Sequence, residues 1–122
     1  MSLPSVMFLM SKVITITGEE GLHSPASDAE EGDTHPHKVY GVYDEASESI
    51  SIDTGVSLSR QQTTLMHEAL HAMLGITALD TIMDSQAGSG FSEHVVTALA
   101  PVMLCWLREN YGVHQFLVEE QA

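Results

Sequence analysis

Two histidines four residues apart flank a glutamate in "TTLMHEALHAMLG", residues 63 to 75, and His67, Glu68 and His71 are the residues of this chain best suited to chemistry. On an α-helix, positions four apart share one face, with Cβ atoms about 5 to 6 Å apart. Both imidazoles can then reach a single zinc ion at the usual bond length of about 2.0 to 2.1 Å. Glu68, about 100° around the wheel, stands beside such an ion rather than on it. Two ligands and a neighbouring carboxylate that takes a proton from water are what metal-assisted hydrolysis needs. The competing reading is a buried helix whose histidines are satisfied by hydrogen bonds, with Glu68 paired to one of them. Leu65, Met66, Ala69, Leu70, Ala72, Met73 and Leu74 fill most of the remaining circumference, so the helix is expected to be covered on several sides.

A third ligand must come from elsewhere. A histidine six residues after His71 would complete the metzincin pattern, but that position is Thr77, and Leu74 stands where that pattern needs glycine. A glutamate on a second helix is the gluzincin solution, and "FSEHVVTALAPVMLCWLREN", residues 91 to 110, supplies Glu93. Val95, Val96, Leu99, Val102, Met103, Trp106 and Leu107 mark its expected core face, with Glu93 at the edge. A carboxylate is favoured in the first turn of a helix whether or not it binds metal, because the N-terminal end of the helix dipole is positive. His94 is the alternative ligand, though it points about 100° away; Asp80 and Asp84 are weaker alternatives.

The elements that must position these groups can be read in outline. Residues 5 to 17, "SVMFLMSKVITIT", are apolar and then β-branched with a two-residue alternation, which predicts β structure. Residues 18 to 37 are rich in Gly, Pro, Ser and acid, which predicts a mobile loop. "KVYGVYDEASESISID", residues 38 to 53, reads as a hairpin turning near Glu45 to Ser49. The HEALH helix follows, capped by Ser57 or Ser59 and stopped at Gly75. Residues 76 to 90 read as a connection closed by a Gly/Ser cluster, with a turn of helix near Asp80. The second long helix runs from about Phe91 to Asn110, with a kink expected at Pro101, which crowds the carbonyl of Thr97. "VHQFLVEE" predicts a last short helix packed through Phe116 and Leu117.

Composition narrows the function classes. The chain has 122 residues, which suits one domain spanning 1 to 122. Seventeen acidic against four basic side chains give a net charge of −13, which argues against nucleic acid and anionic membranes as direct partners. Cys105 is the single cysteine, which excludes an intrachain disulfide and a thiolate cluster and agrees with a cytoplasmic setting. The apolar N-terminal run lacks the basic flank and cleavage pattern of a signal peptide and is read as structure. "HPH" at His35 to His37 is read as part of a solvated loop, the seven methionines as core filler, and Cys105 as an outward-facing, unreactive thiol.

The order of a hairpin, a helix with HEALH, a connection and a helix opening with "SEHVVTALAP" resembles the minimal gluzincin metallopeptidases of the ImmA/IrrE type, particularly short phage-encoded and actinobacterial versions. The resemblance covers about residues 38 to 118. It implies an α+β fold: a small zincin-like domain with a short antiparallel β-sheet or hairpin packed on the active-site helix and a second ligand-bearing helix. It also implies one zinc ion held by His67, His71 and Glu93, with Glu68 as general base. A peptide or protein substrate would lie as an added strand along the hairpin edge. Two features depart from the pattern. Thr97 stands where thermolysin-like gluzincins carry an aspartate that orients a ligand histidine, and no oxyanion-stabilising residue can be assigned among Tyr40, Tyr43, Tyr111 and His94. A non-catalytic protein with a structural zinc and a SprT-like protease acting on DNA-bound proteins are the rival expectations.

Overall fold

The β-branched run beginning at Lys12 forms the longest strand of the sheet, and its alternation sends Ile14 and Ile16 into the core while Val13, Thr15 and Thr17 face outward. Residues 2–23 and 38–119 are described in this computed structural model of the chain. Strand β1 (Val6–Leu9) turns through Met10 and Ser11, both at positive φ, into antiparallel β2 (Lys12–Glu19). Strands β3 (Gly41–Asp44) and β4 (Ser49–Asp53) form the expected hairpin. Four helices follow: α1 (Leu58–Ile76), α2 (Leu79–Ala87), α3 (Phe91–Glu109) and α4 (Tyr111–Val118).

The fold is α+β, with a four-stranded sheet in the order β1-β2-β4-β3 packed against the helices. The sheet is mixed rather than purely antiparallel, because β2 and β4 pair in parallel. Ile50 and Ile52 explain why β4 is central: both are fully buried, and a strand with neighbours on both sides hides its side chains best. The hairpin therefore inserts β4 beside β2 and leaves β3 at the edge. The segment between β2 and β3 is pinned at both ends, by a His23–Lys38 bridge and a bond from the Val39 N–H to the Leu22 carbonyl at 3.1 Å. Strand β2 continues to Glu19 and Leu22 is buried, so the expected loop begins later than residue 18. Residues 24–37, including His35 and His37, lie outside the described residues.

Helix α1 is packed on two faces. Leu65 and Ala72 meet Ile14, Ile16, Ile50 and Ile52 of the sheet, while Met66, Leu70 and Leu74 meet Val96, Ala100 and Met103 of α3. The α3 core face is therefore narrower than its apolar composition suggests. Ser92, Val96 and Ala100 are buried, whereas Leu99, Val102 and Trp106 are exposed. Val96, Ala100 and Met103 make the contact with α1, Ser92 bonds Asp84 of α2, and the other large apolar side chains fall outside. Helix α4 departs further from expectation: Phe116 and Leu117 are 76% and 64% exposed, since this eight-residue helix meets little beyond the end of α3. No single described helix is long and apolar enough to cross a membrane.

Two details fix the edge strand against α1. Asp53, 1% exposed, accepts bonds from the Gly21 and Gly55 N–H groups at 3.1 and 2.8 Å, while its own N–H donates to the Tyr40 carbonyl at 2.8 Å. A Cβ on Gly41 would lie 2.5 Å from Thr64 Cγ2 and 3.2 Å from Glu68 Cγ, so only glycine lets the strand come this close. Gly41→Ala should lower stability by about 1 to 3 kcal/mol, the usual cost of overpacking. Thr64→Ser, which deletes the Cγ2 methyl, should recover part of that loss in the double variant. Urea denaturation of the four proteins of this cycle checks the coupling, and a Gly41→Ala variant as stable as wild type would refute the close approach.

Candidate metal centre

The sheet and α3 cover α1 on two sides and leave a strip of the helix facing an open cleft of 1090 Å³. Arg60, Thr64, His67 and His71 follow one another along that strip at helical spacing. The start of α1 is set by Ser57, whose side chain accepts from the Arg60 N–H at 3.2 Å, and not by Ser59. Its end lies one residue beyond Gly75, where Thr77 Oγ1 donates to the carbonyls of Met73 and Leu74 and Ala78 takes a left-handed conformation.

His67 and His71 turn their rings toward each other, with centroids 4.9 Å apart and Nε2 atoms 3.2 Å apart. Glu93 closes the group from α3, its Oε1 3.1 Å from His67 Nε2 and its Oε2 2.5 Å from His71 Nε2. His67, His71 and Glu93 could hold a metal ion. The donor set can be tested against zinc. Ligands at about 2.0 to 2.1 Å in a tetrahedron lie about 3.3 Å from one another. The separations of 3.2 and 3.1 Å are close to that edge, and the Oε2 contact of 2.5 Å is a direct carboxylate–imidazole contact that lies inside it. Two imidazole nitrogens with a carboxylate oxygen suit zinc chemically.

Glu68 sits beside the group and does not join it. It is 8% exposed, lies against Gly41, and accepts a hydrogen bond from the Tyr43 backbone. Burial pushes its carboxyl up to about 7, with the charge of Glu93 adding to the rise and His71 and the Tyr43 bond opposing it. A divalent cation in the site would draw it back down. Burial holds His67 below the ordinary imidazole value, and the charge of Glu93 partly restores it.

The connection before α3 determines where Glu93 points. Residues 79–87 form a two-turn helix, α2, rather than the single turn expected, and Gly88 and Gly90 at positive φ then reverse the chain into α3 at 120° to α2. Asp84 of α2 reaches back to the new helix start, accepting from the Ser92 N–H at 2.8 Å and from Ser92 Oγ at 3.1 Å. Asp84 is thus a helix cap. Asp80 lines the cleft away from the histidines, and His94 is exposed and outside the group. Thr97 does touch the site, since its Oγ1 donates to Glu93 Oε1 at 3.4 Å. Of the candidate oxyanion stabilisers, Tyr40 and Tyr43 border the cleft, while Tyr111 is 66% exposed on α4. Cys105 is exposed, as expected.

No family model, no curated protein and no solved structure matches this chain.

Several site residues were not singled out by sequence reasoning. Arg60 stacks its guanidinium over the Tyr40 ring at 4.7 Å, at the mouth of the same cleft. Its position seven residues before His67 was the available signal, because two helical turns return a side chain to the same face. Gly41 was signalled by a lone glycine within a β-branched arm. The role of Asp84 had no local signal, since it depends on the α2–α3 turn.

Asp84→Ala removes a charged acceptor from the first turn of α3 and should cost about 1 to 2 kcal/mol in chemical denaturation. Because Ser92 precedes Glu93, the same change should also weaken zinc binding measured by competition with a chromophoric chelator. Unchanged stability and zinc affinity would remove Asp84 from the support of the site.

Proposed function

We propose that this protein is a zinc-dependent metallopeptidase, a minimal gluzincin of small α+β architecture that cleaves a peptide or protein substrate. The observation that carries this reading is the convergence of His67 Nε2, His71 Nε2 and the Glu93 carboxylate beside a buried Glu68, in a cleft bordered by the edge strand β3. Among the described residues the group has three members, and a catalytic rather than a structural zinc site has three protein ligands and an open position.

Zinc bound there supplies a Lewis acid that polarises a carbonyl and makes water a nucleophile near neutral pH. The chain does the rest. His67, His71 and Glu93 hold the ion, and Thr97 and the Asp84 cap steady Glu93. Glu68 takes a proton from the attacking water and passes it to the leaving amine nitrogen, the general acid–base role. The substrate aligns on β3 through main-chain hydrogen bonds. Tyr40 and Val42 direct their backbone groups into the β4 ladder, as the Asp53-to-Tyr40 bond indicates, so Gly41 and Tyr43 direct theirs toward the cleft. A net charge of −13 weighs against a protease that works on DNA, and regulatory cleavage of a cytoplasmic protein is the setting we favour.

Glu68→Gln should keep one zinc per chain and lower cleavage by about 10²- to 10⁴-fold, the usual share of a general base. Metal content by mass spectrometry and turnover of a peptide library check the two halves, and full cleavage by this variant would refute the mechanism. Glu93→Ala should weaken zinc by more than about 100-fold, beyond what losing a supporting residue costs. Zinc at a hundredfold excess over its Kd should stabilise the wild-type fold by about 2.7 kcal/mol, and His67→Ala should abolish that gain. Unchanged zinc stoichiometry and affinity in Glu93→Ala would move the third ligand elsewhere.

A further inference from the structure

The cleft carries opposite charges at its two ends. At one end Arg60 lies over Tyr40, 4.7 Å from the ring centroid. At the other, Glu45 and Asp80 approach the same point on α1: a Cβ built on Gly75 would stand 3.8 Å from Asp80 Oδ2 and 4.0 Å from Glu45 Cδ. His67 and His71 lie between these ends on the cleft-facing strip of α1, with Glu93 reaching them from α3. Helix α1 and strand β3 run in the same sense along the cleft, since Arg60 meets Tyr40, Thr64 meets Gly41, and Gly75 faces Tyr43.

Arg60 is one of four basic residues set against seventeen acidic ones, and among the described residues no carboxylate pairs with it; Lys12 pairs with Glu48 at 2.9 Å and Arg108 donates to the Gln62 side chain. Stacking on Tyr40 holds its planar guanidinium at the rim of the cleft with its hydrogen-bond donors available for a carboxylate. The carboxylates of Glu45 and Asp80 present the complementary charge to an ammonium or guanidinium.

An extended peptide on β3 pairs best when antiparallel to it. Its N-terminal side then lies at Glu45 and Asp80, and its C-terminal side at Arg60. From Arg60 to the middle of the histidine pair is nine residues of helix, or about 13 Å, and from there to Gly75 is six, or about 9 Å. At about 3.3 Å per residue of extended chain, the acidic group falls within about four residues after the cleavage point and the basic group within about three before it.

We propose that Arg60 at one end, with Glu45 and Asp80 at the other, makes this cleft a directional reader of peptide charge. It selects segments with a Lys or Arg on the N-terminal side of the cleaved bond and a carboxylate on the C-terminal side, from either an Asp or Glu side chain or a free C-terminus. This rests on the peptidase reading for the position of the cleaved bond, while the charge preference is a property of binding and can be measured without turnover.

The test uses zinc-loaded Glu68→Gln protein and fluorescent peptides of about eight residues in fluorescence anisotropy. One peptide carries Lys then Glu at the stated spacing, a second has the two exchanged, a third is neutral, and a fourth pair compares a free with an amidated C-terminus. The Lys-then-Glu peptide should bind at least about fivefold more tightly than its reverse, the size expected of partly exposed charge pairs. Arg60→Glu should abolish the preference for the downstream carboxylate and leave the upstream Lys preference, and Glu45→Lys with Asp80→Lys should do the converse. A free C-terminus that binds like the Glu side chain identifies the carboxylate itself as the recognised group. Equal binding of the forward and reversed peptides, a preference for the reversed one, or no response to Arg60→Glu would overturn the proposal. The charge preference without cleavage by the wild-type protein would count against the peptidase reading alone. Cleavage of all the peptides without preference would count against the charge reader alone.

Discussion

The site depends on the packing of α1 against two partners. The sheet takes one side of the helix through Leu65 and Ala72, and α3 takes another through Met66, Leu70 and Leu74. What remains toward the cleft is a narrow strip, and the polar side chains of α1 that could do chemistry lie on it or at its margin. Widening either contact would bury the histidines; loosening either would let Glu93 move away from them. Small residues are placed where the layers come closest: Ala72 lies against the sheet, Ala100 against α1, and Gly41 allows the edge strand to lie against Thr64 and Glu68.

Closeness has an electrostatic consequence. Two imidazole nitrogens 3.2 Å apart both address one carboxylate, and a second carboxyl, Glu68, is buried beside them. Burial is the main reason the carboxyl of Glu68 is raised, and the neighbouring charge of Glu93 adds to it. A divalent cation reverses the sign of the problem, because it stabilises both carboxylates and requires neutral imidazoles as ligands. A fold that gathers these groups without a cation bears an electrostatic cost. Binding one would turn that cost into affinity.

Much of this was legible in the sequence, and the reasons are local. His67, Glu68 and His71 lie within five residues on one helix, so the helical repeat alone puts the two imidazoles together. The hairpin was legible because Ile50 and Ile52 alternate and a polar turn precedes them. Glu93 was identifiable as a first-turn carboxylate on a second helix, although its contact with the histidines depends on the packing of α3. The long-range features were not readable. The cap on α3 comes from Asp84, eight residues earlier, across a turn whose geometry rests on Gly88 and Gly90. The parallel pairing of β2 with β4 depends on a crossover that leaves no trace in either strand. Composition also misled for α3 and α4, because Trp106, Val102 and Phe116 are apolar enough for a core yet are exposed. Apolar residues occupy much of any protein surface, so their presence at helical spacing indicates a face without saying whether anything covers it.

The overall charge and the cleft act on different length scales. At physiological salt the field of a net charge of −13 is screened over about 8 Å, so it favours encounter with basic segments without choosing how they lie. Orientation has to come from contacts inside the cleft, where opposite charges stand at the two ends of one strand edge. A backbone ladder on β3 can accept a peptide in either direction, because its cleft edge offers both kinds of group, the Gly41 N–H and the Gly41 and Tyr43 carbonyls, with the Tyr43 N–H taken by Glu68. Arg60 breaks that symmetry. Its guanidinium, braced on Tyr40 in a protein of net charge −13, gives the two directions different energies. The least represented charge in the composition thereby carries the most positional information.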